Sequence, residues 1–169
     1  PEMLVRAIKT VQGVLNIPLQ IDTSDFEAME KALRIYNGKA LINSANGKKE
    51  SMEKVFPLAK KYGGVVVCLT LDENGIPDTA QGRIEIAKRM IKTAESYGLS
   101  KDDLIIDALA MTVSTGKDNA KVTLETLDYV RNTLGVNTCL GVSNISFGLP
   151  SREIINTAFF TMAMHSGLS

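Results

Sequence analysis

The sequence is poor in the residues that build metal centres. One histidine, His165, stands among 169 residues, which leaves no basis for a His-based zinc site. The only two cysteines, Cys68 and Cys139, both lie within apolar β-branched runs. That setting reads as two buried free thiols rather than a disulfide or a metal site. Neither sign of charge is in excess, with 19 Lys and Arg against 19 Asp and Glu. The balance excludes the electrostatic footprint of a nucleic-acid or anionic-membrane binder, and no block of like charge marks a tail. Long apolar runs are missing too. The longest, such as Val65-Val66-Val67-Cys68-Leu69, have the length of a strand, and Pro1-Glu2-Met3 does not start a secretory signal, so a cytoplasmic chain without a membrane partner is expected.

Several reaction motifs are absent by spacing. Gly38-Lys39, Gly47-Lys48 and Gly116-Lys117 lack both the earlier Gly and the following Ser or Thr of a P-loop. Gly141-Val142-Ser143-Asn144-Ile145 lacks the final Gly of a nucleophile elbow, and His165 has no evident acid partner, so Ser-His-Asp catalysis is excluded. Asn144-Ile145-Ser146 fits a glycosylation sequon, which reads as chance in a chain without secretory features. Phe159, Phe160, Met162 and Met164 are expected on a buried helix face rather than in a cofactor box.

What is present is the balance of one globular domain, 44% hydrophobic and 22% charged. Apolar runs flanked by turn residues predict strands at Pro18-Leu19-Gln20-Ile21, Lys39-Ala40-Leu41-Ile42, Gly64 to Leu69, Leu104-Ile105-Ile106, and Thr138 to Val142. Between them, steps of three and four predict helices carrying Met52, Val55, Phe56 and Ala59; Ile84, Ala87, Ile91 and Ala94; and Ala120, Leu124, Leu127 and Leu134. Ser24-Asp25-Phe26-Glu27 suggests a capping box, Gly38 and Gly98 suggest helix ends, and Pro150 suggests the start of the last helix.

A helix followed by five strand–helix units, spaced at about 30 residues, implies a parallel sheet with helices outside it. Two architectures fit: a five-stranded doubly wound sheet, or a consecutive arc of a (β/α)₈ barrel, whose full form needs about 250 residues. Length favours the open sheet. The ends favour the arc, because the chain starts inside a helix without an initiator Met and stops at Gly167-Leu168-Ser169, as an excised piece would.

In either architecture the ligand lies at the carboxyl ends of the strands. Those ends read Asp22-Thr23, Asn43-Ser44, Thr70 with Asp72, Asp107, and Ser143-Asn144. Short amide, hydroxyl and carboxylate groups without Lys or Arg suit a neutral heterocycle with several N–H donors, not a phosphate. Thr23, Ser24 and Ser44 are expected to cap helices. Asp107 has no adjacent helix start to cap, and a carboxylate in apolar company needs a partner. Asn43 and Asn144 fit a turn role and a ligand role equally.

Taken in order, Pro18-Leu19-Gln20-Ile21-Asp22-Thr23-Ser24, Ala40-Leu41-Ile42-Asn43-Ser44, the run from Leu69 to Pro77, Ile105-Ile106-Asp107, and the run from Leu140 to Phe147 resemble a known family. It is the methyltetrahydrofolate-binding barrel of cobalamin-dependent methionine synthases and methyltetrahydrofolate:corrinoid methyltransferases. The resemblance covers nearly the whole chain. It implies that residues 1–169 form a pterin-binding domain with the (β/α)₈ TIM-barrel fold of dihydropteroate synthase type, here an incomplete segment holding about strands three to seven. It also implies that Asp22, Asn43 and Asp107 hydrogen-bond the pterin ring, that Asn144 reaches N5, and that Gly141 and Ser143 line the site. Arg152 either contacts the ligand or its neighbouring loop, or stands solvated in the first turn of the last helix.

The resemblance further implies 5-methyltetrahydrofolate as methyl donor and cobalamin carried on a separate domain or protein, with no metal bound by this chain. Asn144 and Asp22 would then be the catalytic pair for passing the N5-methyl group to cob(I)alamin, as a step of methionine synthesis. A free-standing corrinoid methyltransferase is the alternative, against which Ser146-Phe147-Gly148-Leu149-Pro150 resembles the methionine-synthase version. Dihydropteroate synthase is disfavoured, since its diphosphate leaving group demands Arg and Lys where this chain has Ser143-Asn144-Ile145. A last alternative is an inactive fragment, whose two open sheet edges would invite homodimerisation.

Overall fold

The computed structural model describes residues 1–169. Its elements are α1 (Glu2–Val14), β1 (Gln20–Asp22), α2 (Phe26–Ile35), β2 (Leu41–Asn46), α3 (Lys49–Tyr62), β3 (Val65–Leu69), α4 (Ala80–Ser96), β4 (Leu104–Asp107), α5 (Asn119–Asp128), β5 (Asn137–Cys139) and α6 (Arg152–His165). The five strands form one parallel sheet in the order β1-β2-β3-β4-β5. Sequential parallel neighbours joined through helices make a singly wound arc of a barrel, not a doubly wound sheet, whose strand order would reverse.

The helices form because their apolar residues recur on one side. In α3, Met52, Val55, Phe56 and Ala59 are buried; in α4, Ile84, Ala87, Met90, Ile91 and Ala94 are. All but Ile84 meet Ile21, Ile42, Val66, Cys68, Leu104 and Ile106 in one continuous core between sheet and helices. Truncating its fully buried Phe56 to Ala would cost about 3–5 kcal/mol. Gly63 and Gly98, both at positive φ, end α3 and α4 where a side chain would strain the backbone.

Local details differ from expectation. Asp25, not Ser24, caps α2: its Oδ1 accepts from the N–H groups of Glu27 at 2.9 Å and Ala28 at 3.1 Å, while Thr23 Oγ1 accepts from Asp25 N–H and holds the cap in place. Ser44 caps nothing and lies within β2. The first residue of α3, Lys49, gives its N–H to Glu73 Oε1 from the loop after β3. The last helix starts at Arg152, two residues after Pro150. Within it only Phe159 and Ala163 are buried, whereas Phe160, Met162 and Met164 are about half exposed. At 3.6 residues per turn, 159 and 163 share one face and 160, 162 and 164 turn away from it.

Strand alternation sets up the site. The side chains at Ile21, Ile42, Cys68, Ile106 and Thr138 are buried on the helix-facing side. Pairing registers place Asp22 beside Asn43, Asn43 beside Val67, Leu69 beside Asp107, and Asp107 beside Cys139. By the two-residue period, all of these fall on the opposite, concave face.

Candidate active site

Toward the carboxyl ends of its strands the concave face carries the polar groups Asp22, Asn43 and Asp107. Asn43 Nδ2 donates to Asp22 Oδ2 at 3.1 Å across adjacent strands. Both side chains line a cleft of about 280 Å³ between the tips of β1 and β2, with Asn46, Lys48 and Ser51 on its far wall. Larger grooves of about 640 and 870 Å³ run beside α1 and contain none of the strand-end residues.

Asp107 closes β4, two residues along the strand from the register row of Asn43. Its Oδ1 accepts the Leu109 N–H at 2.8 Å. Burial pushes its carboxyl above the ordinary carboxylate range, against the pull of that N–H and of the Arg83 guanidinium. A half-buried acid with one oxygen engaged and the other uncommitted is a ready acceptor for N–H donors of a ligand. Cys139, next to Asp107 on β5, has its thiol pushed up to about 12 by burial and by the neighbouring carboxylate. It is a neutral wall at physiological pH rather than a nucleophile.

Beyond β5 the chain departs from the expected strand. Pairing stops at Cys139, and Val142–Ser146 turns as a short 3₁₀ helix that carries Ser143 and Asn144, both exposed. Gly141 matters here, because a Cβ at that position would stand 3.0 Å from Asn144 Nδ2. Its bare backbone lets the Asn144 carboxamide fold back over it.

Arg152 is exposed in the first turn of α6, yet its guanidinium is tied to the turn before it. Its Nη2 donates to the Ser143 carbonyl at 2.8 Å, its Nε donates to Ser146 Oγ at 3.0 Å, and its guanidinium lies over the Phe147 ring. Ser146 Oγ in turn donates to Asn156 Oδ1. The opposing loop joins from the other side, through Val113 N–H to the Ile145 carbonyl and Thr112 and Ser114 hydroxyls to the Phe147 carbonyl. The turn bearing Asn144 is therefore held from both sides.

Two strand-end candidates do not join the site. Thr70 is buried and donates its hydroxyl to the Asp107 carbonyl at 2.9 Å, a link between strands. Asp72 forms an ion pair with Arg89 at 2.9 Å and accepts the Asn74 N–H, contacts that hold its carboxyl below the usual range. The same Arg89 also donates to the Gly47 carbonyl, so Asp72 serves a clamp between two loops.

One site neighbour was not anticipated: Arg83, buried on α4 behind Asp107. The clue lay in the sequence, since Arg83 stands four, seven and eleven residues before Ala87, Met90 and Ala94 and so shares their apolar face.

Comparison with known proteins gives the same fold and a family. The family model for pterin binding enzymes matches residues 2–169. The chain is 34% identical over 168 residues to a methionine synthase of Mycobacterium leprae, covering 92% of this chain and 14% of that protein. It is 30% identical over 177 residues to the methylcorrinoid:tetrahydrofolate methyltransferase of Eubacterium limosum, covering 99% of this chain and 65% of that one. The chain thus spans less than two thirds of either relative. Among solved structures, a dihydropteroate synthase of Clostridium difficile determined in the presence of pteroic acid superposes with a TM-score of 0.73 at 21% identity, covering 99% of this chain and 65% of the other. A Yersinia pestis dihydropteroate synthase bound to a pterin–sulfa conjugate superposes at 0.75 and 16% identity, covering 99% and 66%. At these identities the superpositions speak for the barrel fold alone.

Proposed function

The chain belongs to the pterin-binding enzyme family, and from that premise we propose that it binds 5-methyltetrahydrofolate and passes the N5-methyl group to a corrinoid, as a step of methionine synthesis. The observation that carries this reading is the common concave face of Asp22, Asn43 and Asp107, with the first two already hydrogen-bonded to each other.

A pterin presents adjacent N–H donors on its amino-pyrimidinone edge. Asp107 accepts them through its uncommitted oxygen, a charge-assisted contact that fixes the ring's orientation. Asn43 offers both a donor and an acceptor to the ring, and its bond to Asp22 fixes which way its carboxamide faces.

The methyl group leaves a tertiary amine, and that nitrogen must gain a proton or a strong hydrogen bond as the N–C bond breaks. Asn144 supplies that bond from a turn held by Arg152. An amide that meets the developing charge better than the starting amine stabilises the transition state selectively, by about 2–4 kcal/mol on the scale of oxyanion-hole donors. Asp22 acts on the same network electrostatically or through a water molecule.

The corrinoid, when docked, supplies a cobalt(I) nucleophile for the methyl carbon. No group of His, Cys, Asp and Glu side chains here is arranged to hold a metal ion, and His165 sits on the exposed last turn of α6. By the family resemblance the corrinoid is carried on a separate domain or protein, which approaches the carboxyl ends of the strands. A free-standing corrinoid methyltransferase is the second reading, favoured by the similarity to the Eubacterium limosum enzyme.

The test uses the full protein that carries this chain. Asn144→Ala should slow methyl transfer to cob(I)alamin about 10²–10³-fold while changing methyltetrahydrofolate affinity much less. Failure of the unmodified protein to bind methyltetrahydrofolate by calorimetric titration would overturn the reading. Equal transfer rates would remove Asn144 from it.

A further inference from the structure

Arg83 is 1% exposed and is among the largest fully buried side chains of the chain, yet none of its hydrogen bonds goes to a carboxylate. Its Nε donates to the Pro77 carbonyl at 2.9 Å. Its Nη1 donates to the Ala108 carbonyl at 2.9 Å, to the Leu109 carbonyl at 2.5 Å and to Thr123 Oγ1 at 3.3 Å. A buried guanidinium bonded only to neutral groups is costly, and burial accordingly lowers its hold on its proton. An apolar residue of that size would leave the Pro77, Ala108 and Leu109 carbonyls without this donor. Something other than packing accounts for the charge.

The carbonyls that Arg83 gathers belong to one bend. Leu109 stands in the left-handed region at φ 58°, a conformation that side-chain-bearing residues seldom hold without outside support. In that conformation its N–H turns back onto Asp107 Oδ1 at 2.8 Å. Arg83 grips the bend from behind, and Thr123 Oγ1, 3.3 Å from the same Leu109 carbonyl, braces it from α5. This small network runs from a buried cation, through the Ala108 and Leu109 carbonyls and the Leu109 N–H, to the carboxylate on the concave face.

We propose that Arg83 is a positioning residue for the pterin site: it locks the Ala108–Leu109 bend so that one Asp107 oxygen is occupied by Leu109 and the other is presented to the ligand, with the guanidinium charge set behind that carboxylate. The inference rests on the folate reading above. The charged and titratable groups around Asp107 are Arg83 on α4, with Asp78 before that helix acting on the same guanidinium, and Cys139 on β5. Cys139 stays neutral, so the Leu109 N–H and, behind it, the Arg83 guanidinium are the groups that offset the burial of Asp107.

The experiment measures methyltetrahydrofolate affinity against pH in the full protein, for the unmodified chain, Arg83→Gln and Arg83→Lys. Ligand titration is common to all three and cancels in the comparison. Arg83→Gln retains donors but not the charge. Its binding should weaken about tenfold at neutral pH, and the pH at which binding is half lost should rise by about one unit. Arg83→Lys keeps the charge without the planar fork, so the pH midpoint should stay while affinity falls several-fold. An unchanged affinity in either variant, or a loss of affinity in Arg83→Gln with no movement of the midpoint, would reduce Arg83 to a packing role. Should Arg83→Gln not fold, the Lys variant decides: a fall in affinity at a fixed midpoint supports the proposal and full affinity overturns it. If the unmodified protein binds no folate at any pH, the folate reading fails first and this inference with it.

Discussion

Asn43 and Asp22 sit directly opposite each other on neighbouring parallel strands, and the Asn43 carboxamide donates to the Asp22 carboxylate at 3.1 Å. A cross-strand pair at the lip of a sheet is half solvated, so it adds little to folding. Its effect is on orientation: with its N–H engaged by Asp22, Asn43 keeps its carbonyl oxygen free on a defined side.

Asp22→Ala should therefore leave thermal stability within about 0.5 kcal/mol of the unmodified chain. Folate affinity should drop about tenfold, because Asn43 then samples both amide orientations. The double variant with Asn43→Ala should be little worse than either single one, since the two act as a unit. Additive losses, measured by titration calorimetry, would show two independent contacts instead.

Asp107 sets binding against stability. Its carboxyl lies above the ordinary 3.8 in the folded chain, so the folded state holds this proton more tightly than the unfolded one. The penalty is absent below about 3.8, grows as pH rises through the raised value, and is complete at neutral pH. Asp107→Asn removes the charge and keeps an acceptor for Leu109 N–H. The variant should melt about 1–3 °C higher at pH 7, with the gain vanishing in acid. Its folate affinity should fall tenfold or more. A lower melting temperature at pH 7 would mean that Arg83 stabilises the carboxylate beyond the cost of its burial.

Much of the architecture was legible because it depends on local periodicity. The run Val65–Leu69 and the apolar steps in α3 and α4 announce strand and helix without reference to anything distant. The singly wound order could not be read that way, since periodicity carries no strand order; the resemblance of the strand-end motifs supplied it. The shared concave face of Asp22, Asn43 and Asp107 was legible because each stands at the polar end of an apolar strand run. Thr70 and Asp72 misled because their partners, the Asp107 carbonyl and Arg89, lie 37 and 17 residues away. Arg83 escaped notice because a count of apolar positions skips the one charged residue among them.

Arg152 ties the Ser143 carbonyl and Ser146 Oγ to the first turn of α6. Arg152→Ala removes two hydrogen bonds from a largely solvated place, at a folding cost of about 1 kcal/mol. The freed turn carries Asn144, so methyl transfer should slow about tenfold or more in single-turnover measurements, while folate affinity changes less. Lys at this position reaches one acceptor but not both in the same geometry, and should restore only part of the rate. A matched loss of rate and affinity would instead make Arg152 a direct ligand contact.

Asp103 secures the opposite, amino-terminal end of the sheet. It accepts from Lys39 Nζ at 2.8 Å and from Ser100 N–H and Oγ at 2.9 and 2.8 Å, and so joins the approaches to β2 and β4 around the start of β3. The Lys39 hydrogen bond, then the Ser100 N–H, hold its carboxyl at about 2. With the folded value below the ordinary 3.8, the folded state releases this proton more readily than the unfolded one, so the stabilisation is whole above about 3.8 and is lost as pH falls through about 2. The side chain is 23% exposed, and the contribution is about 1–2 kcal/mol after screening. Asp103→Asn should lower the melting temperature by about 3–6 °C at pH 7, with the difference closing toward pH 2. Folate affinity should not move, because the residue stands at the far end of the strands from Asp22 and Asp107. A melting difference that persists unchanged into acid would show that shape, not charge, makes Asp103 fit.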